Sequence, residues 1–292
     1  MRTNKIVSAA ITLMVVAGGL VATATPAAAS LSGVVTDIDW STWSSDQSQT
    51  AIAECPAGTN VIGAGADIFG DVDEEAIEQV LPSISDGTVT VTAKEADPDS
   101  GSWQVEAVAI CAPEPAGLET VLAGRSGTSK DKTVTAGCPG SKTLLGWGFD
   151  VGSGFGEVLV NQAIPDGSSV TAATQVTVSA YEDETYSRDW SLNVTAICAK
   201  AIPGQHVISA TQKGDIDYKL VEADCPTGEN LTGGGGAATT NTPSLNSEIL
   251  INTMYPMSYS VGPPNVLRMQ AAEEDPMLIT EKWTLAAYAL CV

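Results

Sequence analysis

The sequence predicts an all-β fold made of three tandem, disulfide-stapled β-sheet repeats. Three observations support this prediction. One order of motifs recurs three times along the 292 residues, the six cysteines fall two to each copy, and each copy ends in a strand-like segment that runs from a Trp to a Cys. We expect a pseudo-threefold, β-prism-like body in which the copies share one core. The alternative is three small β-sandwich units, each with a core of its own.

The three copies match in spacing as well as in residue type. The first Cys precedes two glycines by 8 and 10 residues in every copy, it precedes a mid-repeat Pro by 27, 27 and 31 residues, and the Trp precedes the last Cys by 8. The variable lengths fall between the Pro and the Trp, as is typical of loops between fixed strands. We therefore define repeat 1 as residues 30–112, repeat 2 as 113–199 and repeat 3 as 200–292.

Residues 1–29 have the features of a secretory signal peptide. Arg2 and Lys5 form a positive n-region, an apolar run follows, and the run Ala27 to Ala29 gives a small-residue cleavage pattern. No second apolar stretch of about 20 residues, the length needed to span a bilayer, occurs downstream. We expect a secreted, extracellular protein with no membrane insertion after signal cleavage.

The cysteines predict one disulfide within each repeat. Six cysteines in an exported chain allow 15 pairings, and their constant placement in each copy selects one pairing. The predicted bridges are Cys55–Cys111, Cys138–Cys198 and Cys225–Cys291. A zinc site is not expected, because the sequence has no CxxC pair and a single His.

The Trp-to-Cys segments predict core strands. Alternate residues of a strand share a face, so residues 103–111 place the Trp, the Cys and the small apolar residues between them on one side. We expect the β-branched segment 88–92 to form a hairpin with this strand, with an acidic tip between them. The glycine pair is expected in a third strand, packed against the Trp face. The predicted core tryptophans are Trp103, Trp190 and Trp283.

The order CPxG, GxG, mid-repeat Pro and W-x-V-x-A-x-x-x-C resembles a repeat found in many secreted bacterial proteins of uncharacterised function. Residues 55–65 fit it closely, whereas the second copy departs from it at Ser141 and Trp147. The resemblance implies a β fold and carries over no active site. In plan alone, the chain is also similar to the vitelline membrane outer layer protein family, whose three sheets form a prism.

No catalytic centre is recognisable in the sequence. A Ser-His-Asp arrangement needs a His, and His206 lies in a connector with no G-x-S-x-G motif elsewhere. Disulfide-bonded cysteines do not act as nucleophiles. A two-carboxylate glycosidase stays open, because 35 acidic residues do not single out one pair. We therefore predict no catalytic residue and no cofactor.

The acidic connections are the best candidates for a metal site. Calcium prefers six to eight oxygens from clustered carboxylates and carbonyls, but no EF-hand pattern is present. We expect solvated loop tips that bind calcium weakly or not at all. The candidate ligands are Glu95, Asp97, Asp99, Glu182, Asp183, Glu184, Glu274 and Asp275.

The charge of the chain limits its partners. With 13 Lys and Arg against 35 Asp and Glu, the net charge is −22, which repels nucleic acid and anionic lipid. We predict a non-catalytic extracellular binding or surface structural protein whose partner is a glycan or a protein. Three equivalent faces would suit multivalent glycan recognition. The alternatives are a secreted polysaccharide hydrolase that uses a carboxylate pair and an inhibitor of a secreted enzyme.

Overall fold

The computed structural model describes residues 31–70, 75–96, 100–183, 186–214, 218–274, 279 and 281–292. Within these ranges the chain forms eighteen β-strands and one short 3-10 helix, Pro243–Glu248. The fold is therefore all-β, as predicted. The candidate metal ligands Asp97, Asp99, Glu184 and Asp275 and the predicted signal peptide lie outside the described residues.

Each repeat contributes six strands. Those of repeat 1 are β1 (Val35–Trp40), β2 (Ser48–Glu54), β3 (Asn60–Phe69), β4 (Glu75–Ser83), β5 (Thr88–Glu95) and β6 (Gln104–Ala112). Those of repeat 2 are β7 (Glu119–Ser126), β8 (Lys132–Gly137), β9 (Lys142–Gly152), β10 (Val158–Pro165), β11 (Gln175–Glu182) and β12 (Ser191–Lys200). Those of repeat 3 are β13 (His206–Gly214), β14 (Tyr218–Asp224), β15 (Leu231–Thr239), β16 (Ile249–Met257), β17 (Val266–Glu273) and β18 (Trp283–Cys291).

The strands form three six-stranded antiparallel sheets, and each sheet is shared by two repeats. Sheet I has the order β1-β6-β3-β16-β17-β14, sheet II the order β2-β5-β4-β9-β12-β7, and sheet III the order β13-β18-β15-β10-β11-β8. The junctions between repeats are the short ladders β3–β16, β4–β9 and β10–β15. Every repeat thus divides its six strands between two sheets.

The predicted hairpin of each repeat is wrong. Strand β5 pairs with β2 and β4 in sheet II, whereas β6, the next strand along the chain, pairs with β1 and β3 in sheet I. The acidic connection therefore crosses from one sheet to another. The physical reason is that the apolar Trp face of β6 must be covered, and the half-sheet β2-β5-β4 of the same repeat packs against it.

The predicted disulfides are confirmed, and they join the two layers of each repeat. The bridges are Cys55–Cys111, Cys138–Cys198 and Cys225–Cys291. In repeat 1, Cys111 lies on β6 of sheet I, whereas Cys55 follows β2 of sheet II. The bridge therefore fixes the spacing of two facing half-sheets at one end of the Trp strand.

The three core tryptophans are buried, with at most 2% of each side chain exposed. Each indole Nε1 donates a hydrogen bond to a glutamate of its own repeat: Trp103 to Glu95 at 3.2 Å, Trp190 to Glu182 at 2.6 Å and Trp283 to Glu273 at 2.5 Å. The indoles belong to one continuous apolar cluster, but each is held between the two layers of its own repeat rather than at a shared axis. The closed prism stays a prediction.

The glycine pairs pack against the neighbouring repeat, not against the Trp face as expected. A Cβ at Gly63 would overlap the carbonyl oxygen of Thr232 in repeat 3, and one at Gly146 would overlap that of Ile62 in repeat 1. Gly233 completes the cycle against the Leu145 carbonyl of repeat 2. These close approaches bring β3, β9 and β15 together, so the glycines permit contact between all three repeats.

The carbonyls in this cycle belong to β-bulge residues. The ladder register skips one residue directly before the first glycine of each repeat, namely Ile62, Leu145 and Thr232. A bulge turns one backbone group out of the ladder, and here that group faces the glycine of the next repeat. The second glycines meet the neighbour's mid-repeat proline in two cases, Gly65 with Pro256 and Gly148 with Pro82. We call the cycle of bulges and first glycines the bulge–glycine cycle.

We predict that Gly146→Ala lowers the free energy of unfolding by about 3 kcal/mol, because the added methyl group must displace backbone rather than a flexible side chain. Gly214→Ala is the matched control: a Cβ at Gly214 has no neighbour within 4 Å, so its effect stays within about 0.5 kcal/mol. Urea titration measures both. Equal stability of the two variants would contradict the role given to this glycine.

Candidate functional site

A row of six directly paired residues crosses sheet I, one on each strand. Their cross-strand pairing is Trp40 with Glu106, Glu106 with Asp67, Asp67 with Thr253, Thr253 with Gln270, and Gln270 with Leu220. Glu106 alternates with the residues that face the Trp103 core, so the row lies on the opposite face of the sheet. Six strands about 4.8 Å apart make the row roughly 24 Å long. We call it the polar row.

Asp67 stands near the middle of the polar row. Its Oδ1 accepts hydrogen bonds from the Thr253 hydroxyl at 2.5 Å and from the backbone N–H of Ile68 at 3.0 Å. Burial raises the pKa of Asp67 to about 6, against the lowering effect of these hydrogen bonds and of the charge on Arg268. Asp67 therefore titrates in the mildly acidic range.

Glu106, the neighbour of Asp67 in the row, is only 2% exposed. Its pKa is raised to about 7: burial is the main cause and the nearby charge of Asp67 adds to it, against the lowering effect of hydrogen bonds from Tyr255 and Trp40. Its Oε1 accepts no hydrogen bond from the described residues. The Asp67–Glu106 pair therefore holds a proton near neutral pH. Its Glu106 side chain has one oxygen without a hydrogen bond from the described residues.

Aromatic side chains flank the polar row. Trp40 at one edge of the sheet is 51% exposed, and Tyr218 at the other edge is 40% exposed and donates a hydrogen bond to Gln270. Burial raises the pKa of Tyr255, which stays a donor toward Glu106. The aromatic groups thus stand at both ends of the row and beside its carboxylates.

An ion pair borders the row on the repeat 3 side. Arg268 donates to Glu222 Oε1 from Nε at 2.9 Å and lies 2.8 Å from it through a second nitrogen, and the Tyr259 hydroxyl donates to the other oxygen. The Tyr259 hydrogen bond and the Arg268 guanidinium together lower the pKa of Glu222. Tyr259 is 66% exposed, so this group offers polar and aromatic surface beside the row.

The carboxylate pair is specific to sheet I. The residues that match Glu106 and Asp67 in the other two repeats follow from the same strand register: they are Asn193 and Asp150 in sheet II, and Ala286 and Ala237 in sheet III. In sheet II, Asp150 already accepts from Gln79 Nε2 at 2.8 Å and from Asn193 Nδ2 at 3.3 Å. Three equivalent binding faces are therefore not present, and sheet I is the distinctive one.

No motif in the sequence singles out this pair. Glu106 lies in the Trp-to-Cys strand at a position that alternation assigns to the face away from the core, so it was not distinguished from other polar residues. A comparison of the three copies at fixed distance from their cysteines finds it: Glu, Asn and Ala stand five residues before the last Cys. Asp67 has no such local signal, because its partner Thr253 comes from another repeat.

Four of the predicted acidic candidates, Glu95, Glu182, Asp183 and Glu274, lie within the described residues. Glu95 and Glu182 accept hydrogen bonds from the core indoles, and Glu95 is buried rather than part of a solvated loop tip. The backbone N–H groups of Asp183 and Glu274 donate to carbonyls of other segments at 2.9 and 3.0 Å.

One group within the described ranges has the geometry of a metal site, namely His206, Glu229 and Cys291. Its sulfur belongs to the disulfide with Cys225, and a metal ligand is a thiolate rather than a disulfide sulfur. That leaves His206 Nε2 and Glu229, 3.5 Å apart. Two donors fall short of the four that a structural zinc site needs.

Neither a protein-family model nor a curated protein matches the chain. Among the described residues no helix is long and apolar enough to cross a membrane. The three disulfides indicate an oxidising, extracellular environment.

We predict that Glu106→Gln stabilises the protein at pH 8 and not at pH 4. The pKa of Glu106 is about 7 in the folded protein against an ordinary value of 4.5, so the folded state binds more protons than the unfolded state between these values. Stability contributed by the group is thus present below about pH 4.5 and lost as pH rises through 7. Removing the carboxylate restores about 3 kcal/mol at pH 8.

Urea titrations at pH 4 and pH 8 measure this difference. Glu54→Gln, which removes the same charge from an exposed strand end, is the control and shifts neither value by more than about 0.5 kcal/mol. A Glu106→Gln variant less stable than the unaltered protein at pH 8 would show that the carboxylate is not strained by burial.

Proposed function

We propose that this protein is a non-catalytic, secreted binding protein that holds a neutral, hydroxyl-rich glycan along the polar row of sheet I. The observation that carries the proposal is the row itself: carboxylates, a hydroxyl and an amide aligned across six strands, with exposed aromatic rings at both ends. Sugar rings present both apolar C–H faces and hydroxyl groups, and such a surface matches both.

The chemistry of recognition divides between the aromatic and the polar groups. Trp40 and Tyr218 offer flat apolar faces with polar edges, which suits the stacking of a sugar ring. Asp67 and Gln270 supply acceptors for hydroxyl donors. Their side chains are already oriented by Thr253 and Tyr218, so little side-chain entropy is lost when a ligand binds.

The charge of the protein favours a neutral glycan over an anionic one. The chain carries a net charge of −22, and the carboxylates of the row add a local negative field above pH 7. A uronate or sulfate group on the ligand would be repelled. Among the described residues, Arg268 is the cation that borders the row in an ion pair. It is already paired with Glu222.

Burial of Glu106 favours binding over hydrolysis. A general acid must come within hydrogen-bond reach of the glycosidic oxygen, and Glu106 is 2% exposed beneath Trp40 and Tyr255. Its role in this proposal is to hold those two rings by accepting their hydrogen bonds. Asp67, which is only partly buried, is the carboxylate that a ligand can reach.

We predict that the protein of residues 30–292 binds neutral glycans on an array, with or without calcium. Trp40→Ala and Asp67→Asn should each lower the affinity for the best-binding glycan by about tenfold or more. Isothermal titration measures the change. Gln162→Ala, at the matching row position of sheet III, is the control and leaves the affinity unchanged.

Two results would contradict this function. One is an array that shows no glycan binding by a folded protein. The other is release of reducing ends from the bound glycan that Glu106→Gln abolishes, which would make the protein a hydrolase of the carboxylate-pair type.

A further inference from the structure

A polar cavity lies where repeat 1 meets repeat 2, away from the polar row. It has a volume of about 360 Å³ and opens between the end of β5 and the turn that precedes β10. Its lining combines an aromatic ring, a cation, two carboxylates and neutral polar groups. The lining residues that the argument uses are Gln47, Ser48, Lys94, Glu95, Phe155 and Glu157.

Glu95 lines this cavity and has a buried carboxylate oxygen that accepts no hydrogen bond within the described part of the chain. The side chain is 6% exposed, and its Oε1 accepts from the Trp103 indole. Its Oε2 accepts no hydrogen bond from any described residue. An unpaired buried carboxylate oxygen is costly, so a donor from outside the protein would be bound favourably here.

In repeats 2 and 3, a lysine ammonium lies beside the indole that bonds the corresponding glutamate. Lys132 Nζ lies 3.6 Å from the ring centre of Trp190, and Lys219 Nζ lies 3.2 Å from that of Trp283. Each of these lysines stands six residues before the first Cys of its repeat. The charge of Glu182 acts on Lys132 and raises its pKa, although burial lowers it overall. A fixed ammonium thus accompanies the indole–glutamate pair in both repeats.

Repeat 1 has a neutral residue at the matching position. Gln49 replaces the lysine, and its amide donates to the Ser44 hydroxyl at 2.5 Å. Glu95 is consequently the one glutamate of the three whose repeat supplies no ammonium at this position. Repeat 1 is also where the cavity opens beside the glutamate.

The turn on the far side of the cavity is held in an uncommon conformation. Ser153 and Phe155 have φ values of 65° and 57°, which non-glycine residues seldom adopt. The Gly156 N–H donates to Glu78 Oε1 at 2.6 Å, and the other Glu78 oxygen pairs with Lys94 at 2.6 Å. Glu78 thus pairs with Lys94. The Phe155 ring is 51% exposed, with Lys94 Nζ 5.2 Å and Arg188 Cζ 5.3 Å from its centre. Strain of this kind is concentrated at ligand-holding segments.

We propose that this cavity binds a primary alkylammonium group, such as that of a lysine side chain or an amino sugar. The ammonium donates to Glu95 Oε2 and takes the electrostatic role of the missing lysine, while its alkyl part packs on the Phe155 ring. Glu157 adds negative charge at the mouth. Calcium fits less well, because an aromatic ring and a lysine occupy wall positions where six to eight oxygens would be needed. The proposal does not rest on the glycan function.

The test is isothermal titration of the protein with n-butylammonium, with tetramethylammonium and calcium as comparators. We expect saturable binding of n-butylammonium, at least about tenfold tighter than either comparator, since neither can donate an N–H to Glu95. Nα-acetyl-lysine methylamide and chitosan oligomers then distinguish a peptide source of the ammonium from a sugar source. Binding of either one supports the site.

Four variants locate the binding. Glu95→Gln and Gln49→Lys should each lower the affinity for n-butylammonium by about tenfold or more. The first removes the charge of the carboxylate, and the second supplies an internal ammonium. Phe155→Leu, on an exposed turn, weakens it less and serves if Glu95→Gln does not fold. Glu182→Gln, which changes the matching glutamate of repeat 2, leaves the affinity unchanged. Absence of saturable binding, equal binding of tetramethylammonium, or unaltered affinity in Gln49→Lys would overturn the proposal.

Discussion

The architecture depends on the bulge–glycine cycle between β3, β9 and β15. Ile62, Leu145 and Thr232 turn their carbonyls out of the ladder, and each carbonyl faces the first glycine of the next repeat. A side chain at those glycines would overlap the facing carbonyl and push the strands apart, which would weaken the short ladders β3–β16, β4–β9 and β10–β15 beside them. Because these ladders join half-sheets of different repeats, the cycle determines that the three sheets are continuous across repeats. The disulfides and tryptophans then hold the two layers within each repeat.

On this common frame the repeats have diverged, and the differences fall at the two candidate sites. The same register position carries Glu, Asn or Ala on the Trp strands, so at this position the carboxylate pair occurs in sheet I and not in sheets II and III. The position six residues before the first Cys carries Gln, Lys or Lys, so of the three indole-bound glutamates Glu95 is the one whose repeat has no lysine there. A buried carboxylate oxygen without a hydrogen bond is unfavourable for stability, and among the described residues Glu106 and Glu95 each have one. In the cavity beside Glu95 we propose that an external ammonium supplies the partner, whereas Glu106 positions the aromatic rings of the polar row.

Much of the fold is predictable because its signals are local. Alternation over residues 103–111 predicts a strand with Trp103 and Cys111 on one buried face, and constant cysteine spacing selects the pairing. The pairing of strands was not predictable, since Asp67 and Thr253 are 186 residues apart in the chain and no local pattern joins them. The hairpin predicted for the connection after β5 is wrong for the same reason. Glu95, a candidate ligand at a predicted solvated loop tip, is instead buried because its carboxylate turns inward to the indole.

The central claim is that the three repeats form one cooperative unit through shared sheets. Native-state hydrogen exchange of the full chain under increasing denaturant tests it most directly. The account predicts that the amides of β3, β9 and β15 exchange through one opening reaction with a common free energy, equal to that of global unfolding. Separate free energies for the three strands, with one repeat opening while the other two stay protected, would contradict it.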